Sequence, residues 1–466
     1  MKEVVLSQFN KYVSKNPFTG QLIQEFSNWS HQRIHESIQL SRKAYLNWRD
    51  TDIEQRKKFL STLAAYLRMK VDDWAVIITS EMGKPLGQSK AEILKSARLC
   101  DYYYQQLERL SADRIIPMDG NRSGIVKVQP QGAVLGVMPW NFPVWQAIRF
   151  AVPVISGGNV VLLKHAQNVG ITASLIEDAI QYATGMEGVL INTYVSHEDA
   201  SLYLSNDHII GTSLTGSERA GVAIGQMAGV NIKKTVMELG GSDVYIVLKD
   251  ADFNLSVQTA VKARLNNNGQ TCIAAKRFFI HSDIFNDWCE AYSDLIVQSR
   301  IGDPMDLTNS LSGLARADLA QTLAIQVEKT VEMGATKLVE GGIDRDNPSI
   351  YHPEVLVSIH ENSPLAQEET FGPVAALFPF VDEEDMLKRV NASRYGLGAS
   401  IWTQDNSYGI KLAEKIEVGS VAVNQMMSSD PRLPFGGVKK SGFGREMSSE
   451  GFLEFLNIKT IIADNE

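Results

Sequence analysis

The stretch GAVLGVMPWNFPVWQAIRF, residues 132–150, decides the fold. From Gly132 to Met138 it is apolar without alternation, the pattern of a strand buried on both faces. Pro139 ends the run, and Pro143 suits the first turn of a helix. Working outward, short apolar runs recur at Val160 to Lys164, His208 to Leu214 and Val244 to Leu248, separated by segments of helix length. Strands alternating with helices predict a parallel sheet covered on both faces. A second alternation runs from Arg277 to about Leu433 through Val374 to Phe380 and Gly398 to Trp402. The first 110 residues read as helical: Ser30 is placed as an N-cap for Ile34, Ile38, Tyr45 and Trp48, and further helix is expected over Glu54 to Met69 and Ala91 to Leu110. With 466 residues the chain exceeds the roughly 250 to 300 at which one core stops growing, so two α/β domains are expected.

Composition narrows the function. Fifty-four acidic against 45 basic side chains leave a formal charge of -9, which disfavours anionic partners such as nucleic acid or membrane surfaces. The pairs Lys233-Lys234 and Lys439-Lys440 are too short to reverse that. The N-terminus has no apolar signal region and no run of about 18 apolar residues occurs, so the expected location is cytoplasmic. Three cysteines without a CxxC pair signal neither a disulfide framework nor a zinc site, and no metal is expected. His31 and His35 share ligand spacing but have no nearby third ligand, so a solvated helix face is their better reading.

Cys100 and Cys289 sit in helical apolar patterns and read as packing residues. Cys272 differs. It ends the polar, Gly-bearing loop Asn266-Asn267-Asn268-Gly269-Gln270-Thr271, and Ile273-Ala274-Ala275 after it predicts a loop-to-helix junction whose N–H groups favour a thiolate or oxyanion. Glu238 closes the apolar run Val236-Met237 just before Gly240-Gly241, where partial burial would raise a carboxyl toward the range of a general base. Asn141 lies between two prolines and two aromatics, either as a plain helix cap or as a held amide that stabilises an oxyanion.

Six motifs now stand in order: Trp140-Asn141-Phe142-Pro143, Thr215-Gly216-Ser217, Glu238-Leu239-Gly240-Gly241, Gly269-Gln270-Thr271-Cys272, Glu369-Thr370-Phe371-Gly372-Pro373 and Pro434-Phe435-Gly436-Gly437. In this order and spacing, with 34 residues from Glu238 to Cys272, the chain resembles the aldehyde dehydrogenase superfamily over nearly its whole length. The resemblance implies an α/β fold with a Rossmann-like NAD(P)-binding domain (1–112 and 131–238), an α/β catalytic domain (239–441) and a small β oligomerisation element (113–130 and 450–466). It implies Cys272 as nucleophile, Asn141 with the Cys272 N–H as oxyanion donors, and Glu238 as the base for thioester hydrolysis. Oxidation then proceeds through a cysteine thiohemiacetal and thioester. No GxGxxG occurs, and the cofactor residues implied are Trp140, Lys164, Gln167, Gly216, Ser217, Gly221, Leu239, Glu369 and Phe371. Gly216 and Gly221 are expected to allow close approach of the pyrophosphate. Neutral Gln167, where many NAD-preferring members carry Glu, leaves both NAD and NADP admissible. A hairpin near 113–130 is expected to join a strand near Asn457 to Ala463 of a partner subunit, in a homodimer or homotetramer.

Arg149 lies eight residues past Asn141, about two helical turns, with Trp145 between, so both are expected in one cavity. A cation there suits an aldehyde with a distal carboxylate. Arg at this offset, with Gly241-Ser242-Asp243 and Ala274-Ala275-Lys276-Arg277, is similar to the bacterial Sad-like group of succinate-semialdehyde dehydrogenases, which implies succinate semialdehyde as substrate. Arg264, Ser428, Ser429 and Arg432 are further candidate substrate contacts, while Asn266 stands where some members carry a second Arg. The alternatives are glutarate semialdehyde or neutral aldehydes as substrates, a non-catalytic binding homologue, or a cysteine esterase.

Overall fold

The computed structural model describes residues 11–464. In it the opening run forms the strand Ala133–Met138, almost wholly buried, with Val160–His165 and Ile209–Thr215 parallel on either side. The six-stranded sheet runs Gly442–Phe443, Lys234–Glu238, Ile209–Thr215, Ala133–Met138, Val160–His165, Leu190–Asn192, and only its first strand is antiparallel. The chain goes outward twice from Ala133–Met138, first through 160–165 and 190–192, then through 209–215 and 234–238. Strand order therefore reverses between Ala133–Met138 and Ile209–Thr215, and a crevice opens beyond the carboxyl ends at such a reversal. The helix Pro143–Ser156 is buried at all 14 residues, as a helix wedged between a sheet and another helix must be.

In a second, seven-stranded sheet Asp243–Val247 lies between the central strand Ala275–His281 and Gly398–Trp402. Period-two alternation divides its side chains between two cores: Val244, Ile246 and Phe279 pack on one face, and Tyr245, Val247 and Phe278 on the other with Trp288 and Trp402. Only Leu239 to Ser242 separates the strand Lys234–Glu238 of the first sheet from Asp243–Val247 of the second. The carboxyl edge of one sheet thus faces the amino edge of the other, and the six motifs collect at that junction.

Two features depart from expectation. The N-terminal region is not all helix, because Lys11–Lys15 and Leu22–Ser27 form an antiparallel pair in which Tyr12 and Ser14 are buried. The C-terminal strand Asn457–Asp464 pairs within its own chain, antiparallel to Arg122–Gln129, from Asn457 opposite Gln129 to Asp464 opposite Arg122. The helix Ser448–Leu453 brings the chain back beside that hairpin, so no partner strand is needed to complete the sheet. The resulting three-stranded sheet exposes Ile115, Ile116, Ile458, Ile461 and Ile462. No helix among the described residues is long and apolar enough to cross a membrane.

Candidate active site

Cys272 follows a loop held in a costly backbone conformation. Asn267, Asn268 and Gly269 have φ of 54°, 56° and 75°, three consecutive residues in the left-handed region. Asn tolerates that region better than most residues, and strain of this kind persists only where surroundings enforce it. Here they do. Asn267 Nδ2 donates to Asn141 O at 2.7 Å, and Asn268 is bound at both ends of its amide, to Gly313 O at 2.9 Å and from Ser312 N at 2.8 Å. A Cβ at Gly269 would lie 2.4 Å from the Gly372 carbonyl, so only glycine fits. After the loop the chain turns directly into the strand Ala275–His281, which corrects the expected loop-to-helix junction: no helix N-terminus stands behind the thiol.

What stands there instead is Lys276. Its buried ammonium donates to Cys272 O at 2.7 Å, Gly241 O at 2.6 Å and Glu369 Oε1 at 3.1 Å, tying three motifs together. Sequence reasoning quoted Lys276 only as part of a resemblance, and its signal as a fixed cation is visible only in three dimensions. Burial pushes the Cys272 thiol up to about 12, against the pull of Lys276 and Arg149. The thiol is therefore neutral at rest and needs a base as it reacts.

Glu238 closes its strand, 2% exposed, with Oε1 lacking any hydrogen-bond partner. Burial first, and the neighbouring Glu446 carboxyl second, hold it well above the ordinary carboxylate range. Glu446 is raised by burial too, and it pairs with Arg149, whose charge also pulls against the rise of Glu238. Asn141 is not a helix cap. The first turn of Pro143–Ser156 is capped by the Glu92 carboxylate, which accepts from Val144 N at 2.8 Å and Trp145 N at 2.9 Å. Asn141 Nδ2 instead donates to Gln270 O at 2.9 Å, which ties its amide to the backbone two residues before the thiol.

Two clefts of unequal size meet at Cys272. The larger opens at the reversal of the first sheet and is lined by Trp140, Lys164, Gly216, Ser217, Leu239, Glu369 and Phe371, with Glu238 at its inner end. Ser217 caps the helix Glu218–Val230, whose first N–H groups lie beside this cleft. Two expected residues lie outside it. A Cβ at Gly221 would sit 2.7 Å from the Leu239 side chain, so this glycine lets the helix Glu218–Val230 pack against Leu239. Gln167 stands behind Lys164, His165 and Ala166, its carbonyl bound by Val13 N at 2.9 Å. His197 and Arg219, unflagged by any motif, line the cleft beside Lys164.

The smaller cleft lies on the other side of the thiol. Arg149, Trp145, Ser428 and Ser429 line it, together with Lys95 and Arg98 of the Leu86–Ser111 helix, which sequence reasoning missed. Arg149 stacks 4.9 Å over the Phe435 ring while its guanidinium is held by Glu446. Arg264 is not in this cleft. Its fully buried guanidinium donates to Ala275 O at 3.0 Å, Gly269 O at 2.8 Å and Gly372 O at 2.6 Å, bracing the Cys272 loop from behind. Arg432 is exposed and paired with Asp430 at 2.8 Å.

A thiol shared by two clefts, a buried acid with one oxygen unpartnered and a fixed amide make a site for covalent chemistry on a carbonyl between a small substrate and a long ligand. The sequence profile of the aldehyde dehydrogenase family matches residues 5–461. The chain belongs to the aldehyde dehydrogenase family. Among its relatives, a Synechocystis protein named as a probable NADP+ succinate-semialdehyde dehydrogenase is 40% identical, covering 96% of this chain and 98% of that one. An Escherichia coli NAD(P)+ succinate semialdehyde dehydrogenase, Sad, is 40% identical over 97% and 98% of the two chains. Among solved aldehyde dehydrogenase structures, succinic semialdehyde dehydrogenase from Streptococcus pyogenes in complex with NADP+ superposes with a TM-score of 0.94 at 32% identity, covering 97% of this chain and 99% of that one.

Proposed function

We propose that this aldehyde dehydrogenase oxidises succinate semialdehyde to succinate with reduction of NAD(P)+. The observation that carries the substrate is the cationic lining of the smaller cleft, where Lys95, Arg98 and Arg149 surround the approach to Cys272. An aldehyde bearing a carboxylate fits such a wall, whereas a neutral one gains nothing from it. Relatives named for that substrate at 40% identity point the same way.

The larger cleft fits a dinucleotide. Lys164 is buried without an ion pair among the described residues, and burial lowers its ammonium to about 8, so ribose oxygens there would meet an unspent donor. His197 and Arg219 beside it, with no acid at Gln167, suit a 2′-phosphate as well as a hydroxyl, so both NAD and NADP are used. When bound, the nicotinamide supplies the hydride acceptor that the oxidation requires. Cys272 Sγ adds to the aldehyde carbon as a thiohemiacetal, and the Asn141 amide with the Cys272 N–H holds the oxygen. Glu238, desolvated and unpartnered at Oε1, takes the proton of the water that cleaves the Cys272 thioester.

The same reading assigns 1–112 with 131–238 to the cofactor and 239–441 to catalysis. It places the oligomerisation element (113–130 and 450–466), through the exposed sheet of Arg114–Met118, Arg122–Gln129 and Asn457–Asp464, against a second copy in a cytoplasmic homodimer or homotetramer. Purified protein given succinate semialdehyde and NADP+ should show a steady rise in reduced-nicotinamide absorbance. No rise with either dinucleotide, with thiol-dependent ester hydrolysis in their absence, would leave an esterase.

A further inference from the structure

The strand Ala275–His281 enters its sheet with one residue too many. Asp243 stands opposite Ala275 and Val244 opposite Arg277, so Lys276 is the extra residue of a bulge. A bulge re-aims the side chain it carries. This one delivers a wholly buried lysine to the junction of the two sheets, where its three donors meet three acceptors, Gly241 O, Cys272 O and Glu369 Oε1. The direction of the ammonium is therefore fixed. Glu369 is fixed with it. Oε1 accepts from Gly241 N at 3.0 Å as well as from Lys276 at 3.1 Å, which holds one edge of the carboxylate. Among the described residues none donates to Oε2. A Cβ at Gly240 would sit 2.4 Å from Oε2, so only glycine leaves that oxygen its place in the wall of the larger cleft. The same charge acts on the thiol. Burial raises Cys272 to about 12; of the charges facing it, Lys276 pulls it down most and Arg149 next, while Glu238 and Glu369 push it up. Asp243, on the neighbouring strand, is the other acid that the ammonium faces.

We propose that Lys276 is a positioning residue that serves nucleophile and cofactor with one charge: it stabilises the Cys272 thiolate as it forms, and it holds Glu369 so that Oε2 accepts from a ribose hydroxyl of the dinucleotide. The Glu369 half rests on the dinucleotide reading of the larger cleft; the thiolate half stands without it. With no helix N-terminus behind the cysteine, the bulged lysine supplies the positive charge that such a terminus would have given.

Two readouts test this without turnover. Alkylation by iodoacetamide in the cofactor-free enzyme reports the Cys272 thiolate, because Cys100 and Cys289 are buried. Lys276→Met should slow it about 3- to 10-fold at each pH below the midpoint of the thiol, and Lys276→Arg, which keeps the charge, should restore most of the rate. A lesion of packing alone would loosen the loop and speed alkylation. Calorimetric titration with NADP+ should show about 10-fold weaker binding in Lys276→Met. Glu369→Gln removes an acid that faces the thiol and leaves the lysine in place, so it should speed alkylation about 2- to 3-fold, a result that does not depend on the Lys276 variants folding. Wild-type alkylation or wild-type NADP+ affinity in folded Lys276→Met, or an unchanged rate in Glu369→Gln, would overturn the assignment. A wild-type enzyme that is alkylated as expected but binds neither NADP+ nor NAD+ would overturn the dinucleotide reading, and the Glu369 half with it.

Discussion

Arg264 and Lys95 are both cations brought near the same cysteine, and they end in opposite states. Arg264 is anchored: three backbone carbonyls within 3.0 Å take up the two terminal nitrogens of its guanidinium behind the Cys272 loop. Lys95 reaches one hydroxyl and one ring, and no carboxylate answers it. The first is scaffold and the second is left over for a ligand. The same contrast separates Asn268, bonded at both ends of its amide, from Glu238, whose Oε1 is bonded to nothing. Around this thiol, side chains bound to several backbone groups hold the loop, while among the described residues Lys95 has no carboxylate partner and Glu238 Oε1 no hydrogen-bond donor.

Substitutions can break or sharpen that division. Cys272→Ala should remove dehydrogenase turnover by about 10⁴-fold or more, checked by reduced-nicotinamide absorbance. Asn141→Ala should lower kcat by about 10² to 10³-fold for acid and neutral aldehydes alike, which steady-state kinetics would show. Arg264→Met should behave as a scaffold lesion. It should cost about 3 kcal/mol in denaturant unfolding and leave the preference between succinate semialdehyde and butanal where it was. A changed preference would put Arg264 on the ligand side of the division. Arg219→Ala should lower the NADP-to-NAD ratio of kcat/KM by about 10-fold, measured with saturating aldehyde.

The smallest effect is in pH. The Cys272 thiol, pushed up to about 12, and the raised Glu238 must both lose a proton to work, so turnover of butanal should rise with pH. Lys95 faces Arg98 and Glu92 on its own helix, and Arg149 and Asp430 across the cleft, and it loses charge through about 8. The preference for succinate semialdehyde over butanal should therefore decline by a few fold above about pH 8, and the decline should vanish in Lys95→Arg.

Much of this was legible in the sequence where local pattern and tertiary role coincide. Val374–Phe380 and Gly398–Trp402 were located to the residue because strands buried on both faces are continuous apolar runs. Cys272, Glu238 and Asn141 stood out as candidates from turn-forming, polar neighbours beside apolar runs, but it was the order and spacing of the six motifs, through the family resemblance, that implied their roles. The loop-to-helix junction was misread since Ile273-Ala274-Ala275 has helical composition. Lys276, reaching back to Cys272 O, and the parallel pairing of Ala275–His281 with Asp243–Val247 make it a strand. Lys95 was invisible for a different reason. A lysine on an amphipathic helix reads as solvated, and its partner Ser429 lies 334 residues away. The spacing of Arg149 from Asn141 did place it in the cleft, but nothing local showed that Glu446 would hold it.

The most direct test of an acid-recognising cleft on Cys272 is the wild-type ratio of kcat/KM for succinate semialdehyde over butanal, with NADP+ saturating. The account predicts a ratio of about 10² or more, the worth of a desolvated carboxylate meeting unpaired cations. A ratio near one would contradict it.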